Sequence, residues 1–368
     1  MKNKPDKILT WQMTKPWIKD QETGVVDEGE LVLTEIPVPQ LQNTEVLVEV
    51  AGCGICHTDL GYFYGGVPTV VKPPLTLGHE ISGIVVAGDP NLIGKEVIVP
   101  AVMPCNNCDI CNAGRGNRCL SQRMPGNSLG IYGGFSSHIP VPSRDLCVVE
   151  NHDDFQLAEL AVIADAVTTP YQACVRAELK KGDNVIVVGM GGVGSYVVQM
   201  AKAFGAKTVI GIDLIPEKLE RALKYGADFV INSTAKNTKD VREEFRKICQ
   251  TNSLPSKYGW TIFEVTGVVG GQEIALSLLS FIGKLIVIGF GTQKNEYSIS
   301  RLMAFDSEIR GTWGCLPKYY PEVLELVLKK IVKIKPFTEI QPMSKIKTFF
   351  EEAHEGRLMK RVVLTPDF

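Results

Sequence analysis

The sequence is poor in the features that mark several classes of protein. The net charge is only −2, with 41 acidic and 39 basic residues. Nothing in this balance calls for a nucleic-acid or membrane partner. The N-terminal MKNKPDKILTW lacks the apolar segment of a secretory signal peptide, and the chain has no solenoid-type repeat or low-complexity tract. We therefore expect a cytosolic globular protein whose partner is a small molecule.

One stretch without charge, residues 184–201 (NVIVVGMGGVGSYVVQMA), is almost long enough to span a membrane. Its glycines, however, lie in the middle and directly follow the strand-like VIVVG. A buried strand, a tight turn and a helix explain this pattern better than a membrane span. We predict no association with a membrane.

Two kinds of sequence pattern divide the chain. Residues 30–150 contain short strand-like runs separated by Gly and Pro, which predicts a small barrel-like β domain. From residue 183, strand-like runs alternate with helical patterns such as PEKLERALKYG and DVREEFRKICQ. This alternation predicts an α/β fold with a doubly wound parallel sheet. We place the β domain at residues 1–164, the α/β domain at 165–312 and a return to the β domain at 313–368.

The α/β part contains six predicted strands, the number that suits a complete dinucleotide-binding fold. They are VIVVG (185–189), TVIGID (208–213), FVIN (229–232), TIFEVTG (261–267), KLIVIGF (284–290) and EIRGTWG (308–314).

Four cysteines lie close together in the β part, at Cys105, Cys108, Cys111 and Cys119. Stable disulfides are rare in the reducing cytosol, whereas thiolates at Cys-x-x-Cys spacing are typical zinc ligands. Four thiolates complete a tetrahedral shell, so we predict a structural zinc ion in this lobe, residues 104–120, and a reaction centre elsewhere. The alternative is a reversible dithiol sensor.

The pattern Gly189-x-Gly191-x-x-Gly194 follows a predicted strand and begins a helix, and Asp213 ends the next predicted strand. Such glycines allow a tight turn, close approach of a pyrophosphate and close packing of helix on strand. The Asp213 carboxylate can accept hydrogen bonds from ribose hydroxyls and would repel a 2′-phosphate, which favours NAD over NADP. Lys218 lies just beyond and could reach the same ribose. Alternatively, the glycines only pack a tight turn.

A catalytic zinc ion needs about three protein ligands and one exchangeable position. Cys56, in CGICHTD, and His79, in LGHE, are natural candidates in a chain with five histidines. Either residue alone is more often a buried thiol or a core histidine, so their spacing is weak support.

Taken together, these motifs resemble those of the zinc-dependent medium-chain alcohol dehydrogenases. The order of the motifs is typical of that family: CGICHTD, LGHE, the four-cysteine lobe, and then the glycine motif with its acidic partner. The similarity runs from about residue 30 to the C-terminus. The resemblance implies a GroES-like catalytic domain interrupted by a Rossmann domain, with one catalytic zinc, one structural zinc and NAD. It also implies a homo-oligomer, which we predict to be a tetramer rather than a dimer.

The resemblance assigns the ligands of the catalytic zinc. Cys56 and His79 match two of them. Asp165 stands where many members have a cysteine, as it does in the family's secondary-alcohol enzymes, and it makes the site richer in oxygen. Glu80 matches an acidic neighbour that can enter the zinc shell during exchange.

The resemblance also assigns residues around the zinc. Asp59 matches the carboxylate that orients the zinc histidine, and Thr58 matches the hydroxyl that takes the substrate proton. Gly61 departs from the family, because many members have a histidine there that ends a proton relay. The proton must leave by another route, through the ribose hydroxyl to His57 or to water. Two more positions match residues that touch the nicotinamide end and the pyrophosphate of the cofactor, namely Thr169 and Arg361.

The substrate is indicated by resemblance alone. ILTWQMTKP, WIKDQETGVVDEGELVLTEIPVP and GGFSSHIPVP are similar to one subgroup, the 6-hydroxycyclohex-1-ene-1-carbonyl-CoA dehydrogenases of anaerobic benzoyl-CoA degradation. This implies NAD-dependent oxidation of a ring secondary alcohol of an acyl-CoA to the conjugated 6-oxo thioester. A general secondary-alcohol or polyol dehydrogenase is the alternative within the family. A zinc-dependent hydratase acting on an enoyl-CoA is the alternative from another class.

Overall fold

The computed structural model describes residues 5–19, 23–152 and 154–368, and the chain forms two compact units. The first unit comprises the described residues up to Thr168 with Gly314–Leu328 and Ile334–Phe368, and the second comprises Thr169–Trp313 and Lys329–Lys333. The first boundary lies beyond residue 164 because the 3-10 helix Leu157–Ala164 packs against strands of the first unit. Lys333 belongs to the second unit because its backbone exchanges two hydrogen bonds with the Gln199 side chain.

Strands dominate the first part of the chain, and helices alternate with strands in the second part. In chain order, the strands are β1 (Lys7–Lys15), β2 (Ile18–Lys19), β3 (Val26–Asp27), β4 (Glu30–Pro37), β5 (Glu45–Gly54), β6 (Leu75–Thr76), β7 (Glu80–Ala87), β8 (Glu96–Val99), β9 (His138–Pro142), β10 (Cys147–Val149), β11 (Asn184–Val188), β12 (Thr208–Asp213), β13 (Phe229–Asn232), β14 (Trp260–Glu264), β15 (Lys284–Val287), β16 (Glu308–Gly311), β17 (Thr338–Pro342) and β18 (Arg361–Thr365). The helices are α1 (His57–Phe63), α2 (Asp109–Asn112), α3 (Thr168–Ala177), α4 (Gly194–Ala203), α5 (Pro216–Lys224), α6 (Thr238–Thr251), α7 (Val269–Leu278), α8 (Ser300–Phe305), α9 (Tyr320–Leu328) and α10 (Ile346–His354).

The first unit is built on a seven-stranded sheet with the order β10-β8-β7-β5-β18-β17, in which β9 also pairs with β5. Smaller sheets, β4-β1-β6 and β2-β3, complete it. Strand β5 buries Val46, Leu47 and Val48 in succession, as a strand covered on both faces does. The C-terminal segment returns to this sheet, because β18 pairs antiparallel with β5 and sets Leu364 opposite Cys53.

The second unit is a parallel six-stranded sheet with the order β13-β12-β11-β14-β15-β16. This is the order of a doubly wound dinucleotide-binding fold, so the predicted α/β class is confirmed. Strand β11 is buried at four consecutive residues, as expected where helices cover both faces. The strand predicted at 261–267 ends earlier, at Glu264, because the Glu264 carboxylate accepts hydrogen bonds from the Thr266 and Gly267 amides and closes a turn.

Across the part of the chain that the structure describes, no helix has the length and apolar character needed to cross a bilayer. The uncharged stretch 184–201 instead folds as β11, a turn and the first part of α4. The prediction of a strand, a turn and a helix is confirmed.

Candidate functional site

Three predicted zinc ligands come together in the first unit. Cys56 is the N-cap of α1, His79 immediately precedes β7, and Asp165 follows the 3-10 helix Leu157–Ala164. An Asp165 carboxylate oxygen lies 3.7 Å from the Cys56 sulfur and 3.6 Å from His79 Nε2. With Glu80, these residues offer ligand atoms that all lie within 4.8 Å of one another.

The chemistry of this cluster fits zinc. His79 is 1% exposed, and its Nε2 atom has no hydrogen-bond partner among the described residues. A buried polar atom without a partner is costly unless something else binds it. An imidazole nitrogen, a thiol and a carboxylate around one point are the donors that catalytic zinc sites use.

Asp59 fixes the two ligands that lie nearest to it in the fold. It is 0% exposed, and its carboxylate accepts hydrogen bonds of 3.0 Å from the backbone amides of Cys56 and Gly78. The same carboxylate lies 3.2 Å from His79 Nδ1. This contact holds the imidazole ring with Nε2 toward the cluster, which is the orienting role predicted for Asp59.

Glu80 is held by an arginine from the other end of the chain. Arg361, in β18, donates a 2.7 Å hydrogen bond to Glu80 and a 3.0 Å bond to the carbonyl of Ile55, beside Cys56. Burial raises the pKa of Glu80 to about 7, although Arg361 acts to lower it. Burial lowers the pKa of Arg361, but Glu80 and Cys56 more than reverse this, so Arg361 stays charged. The structure therefore places Arg361 at the metal cluster, and its contact with a cofactor stays a prediction.

The predicted proton-transfer residues lie at the start of α1. The Thr58 hydroxyl is 3.8 Å from the Cys56 sulfur and half-buried, and His57 is exposed. At Gly61 an added Cβ would meet only Val67, at 3.6 Å, which is ordinary contact. Packing alone therefore does not require glycine at the position where many family members have histidine.

Tyr320 is a positioning residue that the sequence analysis missed. Its hydroxyl is fully buried, accepts a 3.1 Å hydrogen bond from the Ala101 amide and donates to the carbonyl of Ala164, the residue before Asp165. The contact fixes the backbone that presents the Asp165 carboxylate. The only sequence signal is a tyrosine at the start of an amphipathic helix, YPEVLELVL, which carries no information about its distant partner.

The four-cysteine lobe forms a second cluster in the first unit. Its sulfur atoms approach one another at 3.4, 3.8 and 3.9 Å, and none of the four is in a disulfide. Zinc–sulfur distances of about 2.3 Å in a tetrahedron give sulfur–sulfur separations of about 3.8 Å. The backbone amide of Asn107 donates to Cys105 and helps to lower the pKa of that thiol to about 6, whereas burial and the hydrogen bond with Cys108 raise the pKa of Cys111 to about 12. The lobe therefore fits a structural zinc ion.

The glycine motif lies in the second unit, between β11 and α4. Gly189 has a φ of +101°, and a Cβ on Gly194 would meet the Gly189 carbonyl oxygen at 1.7 Å. Gly191 is different, because a Cβ there would meet nothing within 4 Å. Packing within the protein thus explains the first and third glycines, whereas the second leaves open space where a pyrophosphate can approach the backbone.

Asp213 ends β12, next to this turn. Its carboxylate accepts a 2.6 Å hydrogen bond from the Met190 amide and a 3.0 Å bond from the Ile215 amide. Lys218 lies in α5 and is half-buried, and Thr169 lies in α3 with 8% exposure. Their contacts with the cofactor stay predictions. The glycines and Asp213 are arranged as a dinucleotide site requires.

Family models and relatives match this arrangement. The model of the alcohol dehydrogenase GroES-like domain matches residues 42–151, and that of the zinc-binding dehydrogenase matches 192–329. A sorbitol dehydrogenase of Bacillus subtilis (strain 168) is 31% identical over 314 residues, which are 83% of this chain and 85% of that protein. An alcohol dehydrogenase of Geobacillus stearothermophilus is 29% identical over 344 residues, 92% of this chain and 96% of that one.

A solved structure has a similar fold over nearly the whole chain. Acetophenone reductase from Geotrichum candidum NBRC 4597, in complex with NAD, has a TM-score of 0.82 and 26% sequence identity, and the match covers 99% of this chain and 98% of that one. Similarity of this extent to the sorbitol dehydrogenase establishes the family. The protein belongs to the zinc-dependent medium-chain alcohol dehydrogenases and is an NAD-dependent alcohol oxidoreductase that uses zinc.

Proposed function

We propose that the alcohol is a ring secondary alcohol of an acyl-CoA, 6-hydroxycyclohex-1-ene-1-carbonyl-CoA, and that the product is the 6-oxo conjugated thioester. The resemblance of three segments to the subgroup with this activity supports the proposal. The observation that carries it is the position of one of these segments, the insert at residues 17–39, beside the helix that begins at the zinc cluster.

The insert contacts α1 directly. The Trp17 amide donates a 2.7 Å hydrogen bond to the carbonyl of Phe63, the last residue of α1. At Gly29 a Cβ would meet Trp17 at 2.6 Å and the Phe63 ring at 2.7 Å, so these parts pack as closely as glycine permits. Residues 20–22 of the insert lie outside the described residues. A segment that resembles the subgroup thus contacts the helix that carries Thr58.

The chain's own residues then act on the hydroxyl group of the substrate. When bound, zinc supplies Lewis-acid chemistry that lowers the pKa of an alcohol, and NAD accepts the hydride. Thr58, whose oxygen lies 3.8 Å from the Cys56 sulfur at the edge of the cluster, would relay the hydroxyl proton by accepting it and donating its own. Asp59 holds His79 in its orientation throughout. With glycine at position 61 there is no side chain there to relay the proton, and the exposed His57 at the start of α1 would pass it to water.

The test is NADH formation, followed at 340 nm, by the zinc-loaded protein with NAD. The substrates are the CoA ester and three free alcohols, cyclohexanol, 2-butanol and sorbitol. We expect fast NADH formation with the CoA ester and little with the free alcohols. Thr58→Val should lose most of this activity and Thr58→Ser should retain it, because only the second keeps the hydroxyl.

Two other outcomes would replace the proposal. Turnover of free alcohols alone would indicate a general secondary-alcohol or polyol dehydrogenase, a function favoured by the similarity to a sorbitol dehydrogenase. Consumption of the CoA ester without NADH would indicate a hydratase. We also propose a cytosolic homotetramer on the basis of the resemblance, and light scattering after size exclusion would contradict it by giving the mass of another assembly.

A further inference from the structure

The second unit contains a pocket that the dehydrogenase reaction does not use. Its volume is about 610 Å³, within the range of small-molecule sites. Lys257 and Phe281 of its lining precede the first residues of β14 and β15, so the pocket lies at the amino-terminal edge of the parallel sheet. Gly189 and Asp213 lie at the carboxyl ends of β11 and β12, on the opposite edge. The pocket is therefore separate from the dinucleotide site.

The charge of this pocket has one sign. Its lining contains Arg242 and Arg246 of α6, Lys257, and Arg301 of α8, and no Asp or Glu. Within the described residues, no carboxylate forms an ion pair with any of these four side chains. Burial lowers the pKa of Arg242, and the neighbouring Arg246 and Arg301 lower it further. Like charges are thus held together without a balancing anion, at a cost in free energy.

Other cations of the same unit do have partners. Lys247, also in α6, lies 3.6 Å from Glu243, and Lys202 lies 2.6 Å from Asp228. What distinguishes the pocket is that four cations without an ion pair among the described residues line one cavity. Arginine side chains are well suited to phosphate, because the planar guanidinium donates two parallel hydrogen bonds.

The remaining walls of the pocket contain aromatic and aliphatic side chains together with one glutamine and three serines. The rings of Phe281 and Phe305 are 4.9 Å apart, and Phe281 is 49% exposed. The Arg301 guanidinium lies 5.2 Å from the centre of the Phe305 ring. A pair of phenylalanine rings beside arginines, one of them exposed, offers a surface on which a planar ring system can stack.

We propose that this pocket binds an adenosine phosphate, with the phosphates at the four cations and the base against the two phenylalanine rings. Free adenine nucleotides and the 3′,5′-ADP portion of coenzyme A share this chemistry. The proposal does not rest on the substrate proposed above, because the pocket is defined by the second unit alone.

The test is calorimetric titration of the zinc-loaded full-length protein, with saturating NADH present to fill the dinucleotide site. The probes are ADP, 3′,5′-ADP and inorganic pyrophosphate. We expect one further binding event for each adenosine phosphate, which weakens as salt rises. A preference for 3′,5′-ADP would indicate coenzyme A as the source, and a preference for ADP would indicate free nucleotides.

Variants locate the binding event. Arg242→Gln with Arg246→Gln should weaken binding at least about tenfold, because each removes a charge-assisted hydrogen bond. Lys257→Gln, in a different segment, should also weaken it. Lys247→Gln is the matched control, since this residue lies in the same helix with 72% side-chain exposure and does not line the pocket. NADH formation by the dehydrogenase should stay unchanged in all of these variants.

Three results would overturn the proposal. The first is the absence of any binding event once NADH is present. The second is unchanged affinity in the arginine variants, which would place the ligand elsewhere. The third is equal affinity for pyrophosphate and ADP, which would show that the phenylalanine rings bind no base.

Discussion

The two metal-binding clusters begin alike and differ in what surrounds them. Each has a cysteine at the N-cap of a short helix, Cys56 before α1 and Cys108 before α2, with an aspartate in the first turn. In α1 that aspartate, Asp59, is fully buried against His79. In α2 the aspartate, Asp109, directly follows its N-cap, whereas Asp59 is the third residue after its own, and Asp109 is exposed.

The clusters also differ in how the chain supplies their ligands. The lobe takes four sulfur ligands from one short segment, residues 105–119. The catalytic cluster takes different donors from distant segments, and Cys56 is 109 residues from Asp165. A closed sulfur shell thus needs only local loop geometry, whereas a reactive site needs a buried surrounding layer that distant parts of the chain provide.

The largest effect is expected from Asp165→Ala. Loss of this ligand should remove the catalytic zinc and leave the lobe zinc, so the zinc content falls from two ions per chain to one. Since a metal Lewis acid supplies several kcal/mol of transition-state stabilisation, NADH formation should fall more than about 1,000-fold. Elemental analysis and the 340 nm assay measure both quantities. Asp165→Cys is the control that restores a ligand, and an Asp165→Ala protein with both zinc ions and full activity would refute the assignment.

Cys111→Ser should lower the stability of the protein and leave its activity intact. The lobe zinc should be lost, and the free energy of unfolding should fall by about 4 kcal/mol or more, as for loss of a structural metal. Activity per folded molecule should stay near that of the wild type, because the lobe does no chemistry. Zinc content and chemical denaturation test this. Asn112→Ser, at the exposed next residue, is the control, and loss of activity at full stability would show that the lobe takes part in the reaction.

The two first-turn aspartates allow the most direct comparison. Asp59→Asn should lower affinity for the catalytic zinc or the activity by about 10–100-fold, as is usual for carboxylates that orient a metal-bound histidine. Asp109→Asn should change neither. Zinc competition with a chelating dye measures the affinity. Equal effects of the two substitutions would mean that burial of Asp59 has no functional role.

The smallest effect concerns the local geometry of the lobe. Asn106 has a φ of 63°, a conformation that asparagine and glycine adopt more easily than alanine. Asn106→Ala should lower the free energy of unfolding by about 1 kcal/mol, and Asn106→Gly by less. Urea unfolding provides the measurement. If Asn106→Gly lowers the free energy of unfolding as much as Asn106→Ala does, the 3.3 Å contact of the Asn106 side chain with Asp145 contributes more to stability than the backbone conformation.

Features set by nearby residues can be predicted from the sequence. The strands β12 and β13 have the predicted bounds, and the lobe and the glycine motif form as expected. The helix predicted from DVREEFRKICQ starts earlier, at Thr238, because the Asn237 side chain caps it by accepting hydrogen bonds from two backbone amides. The exact first residue of a helix depends on single side-chain contacts of this kind, which hydrophobic periodicity does not reveal.

Contacts between distant residues cannot be predicted in this way. The resemblance assigns Arg361 to the cofactor, yet in the fold its guanidinium binds Glu80, 281 residues away. No pattern in the sequence indicates the role of Tyr320, because its hydrogen bonds to Ala101 and Ala164 are made with backbone groups, which any residue supplies. These contacts arise only once the return segment and the β sheet are packed together.

The ion pair between Arg361 and Glu80 has a consequence for biosynthesis. A ribosome that adds 5–20 residues each second needs about 14–56 s to make the 281 residues between the two partners. The four-cysteine lobe is synthesised early and can bind metal while translation continues. The catalytic cluster, by contrast, lacks the arginine beside Glu80 until residue 361 has been made. A nascent chain shorter than this therefore carries one complete metal cluster and one whose Glu80 still lacks its partner.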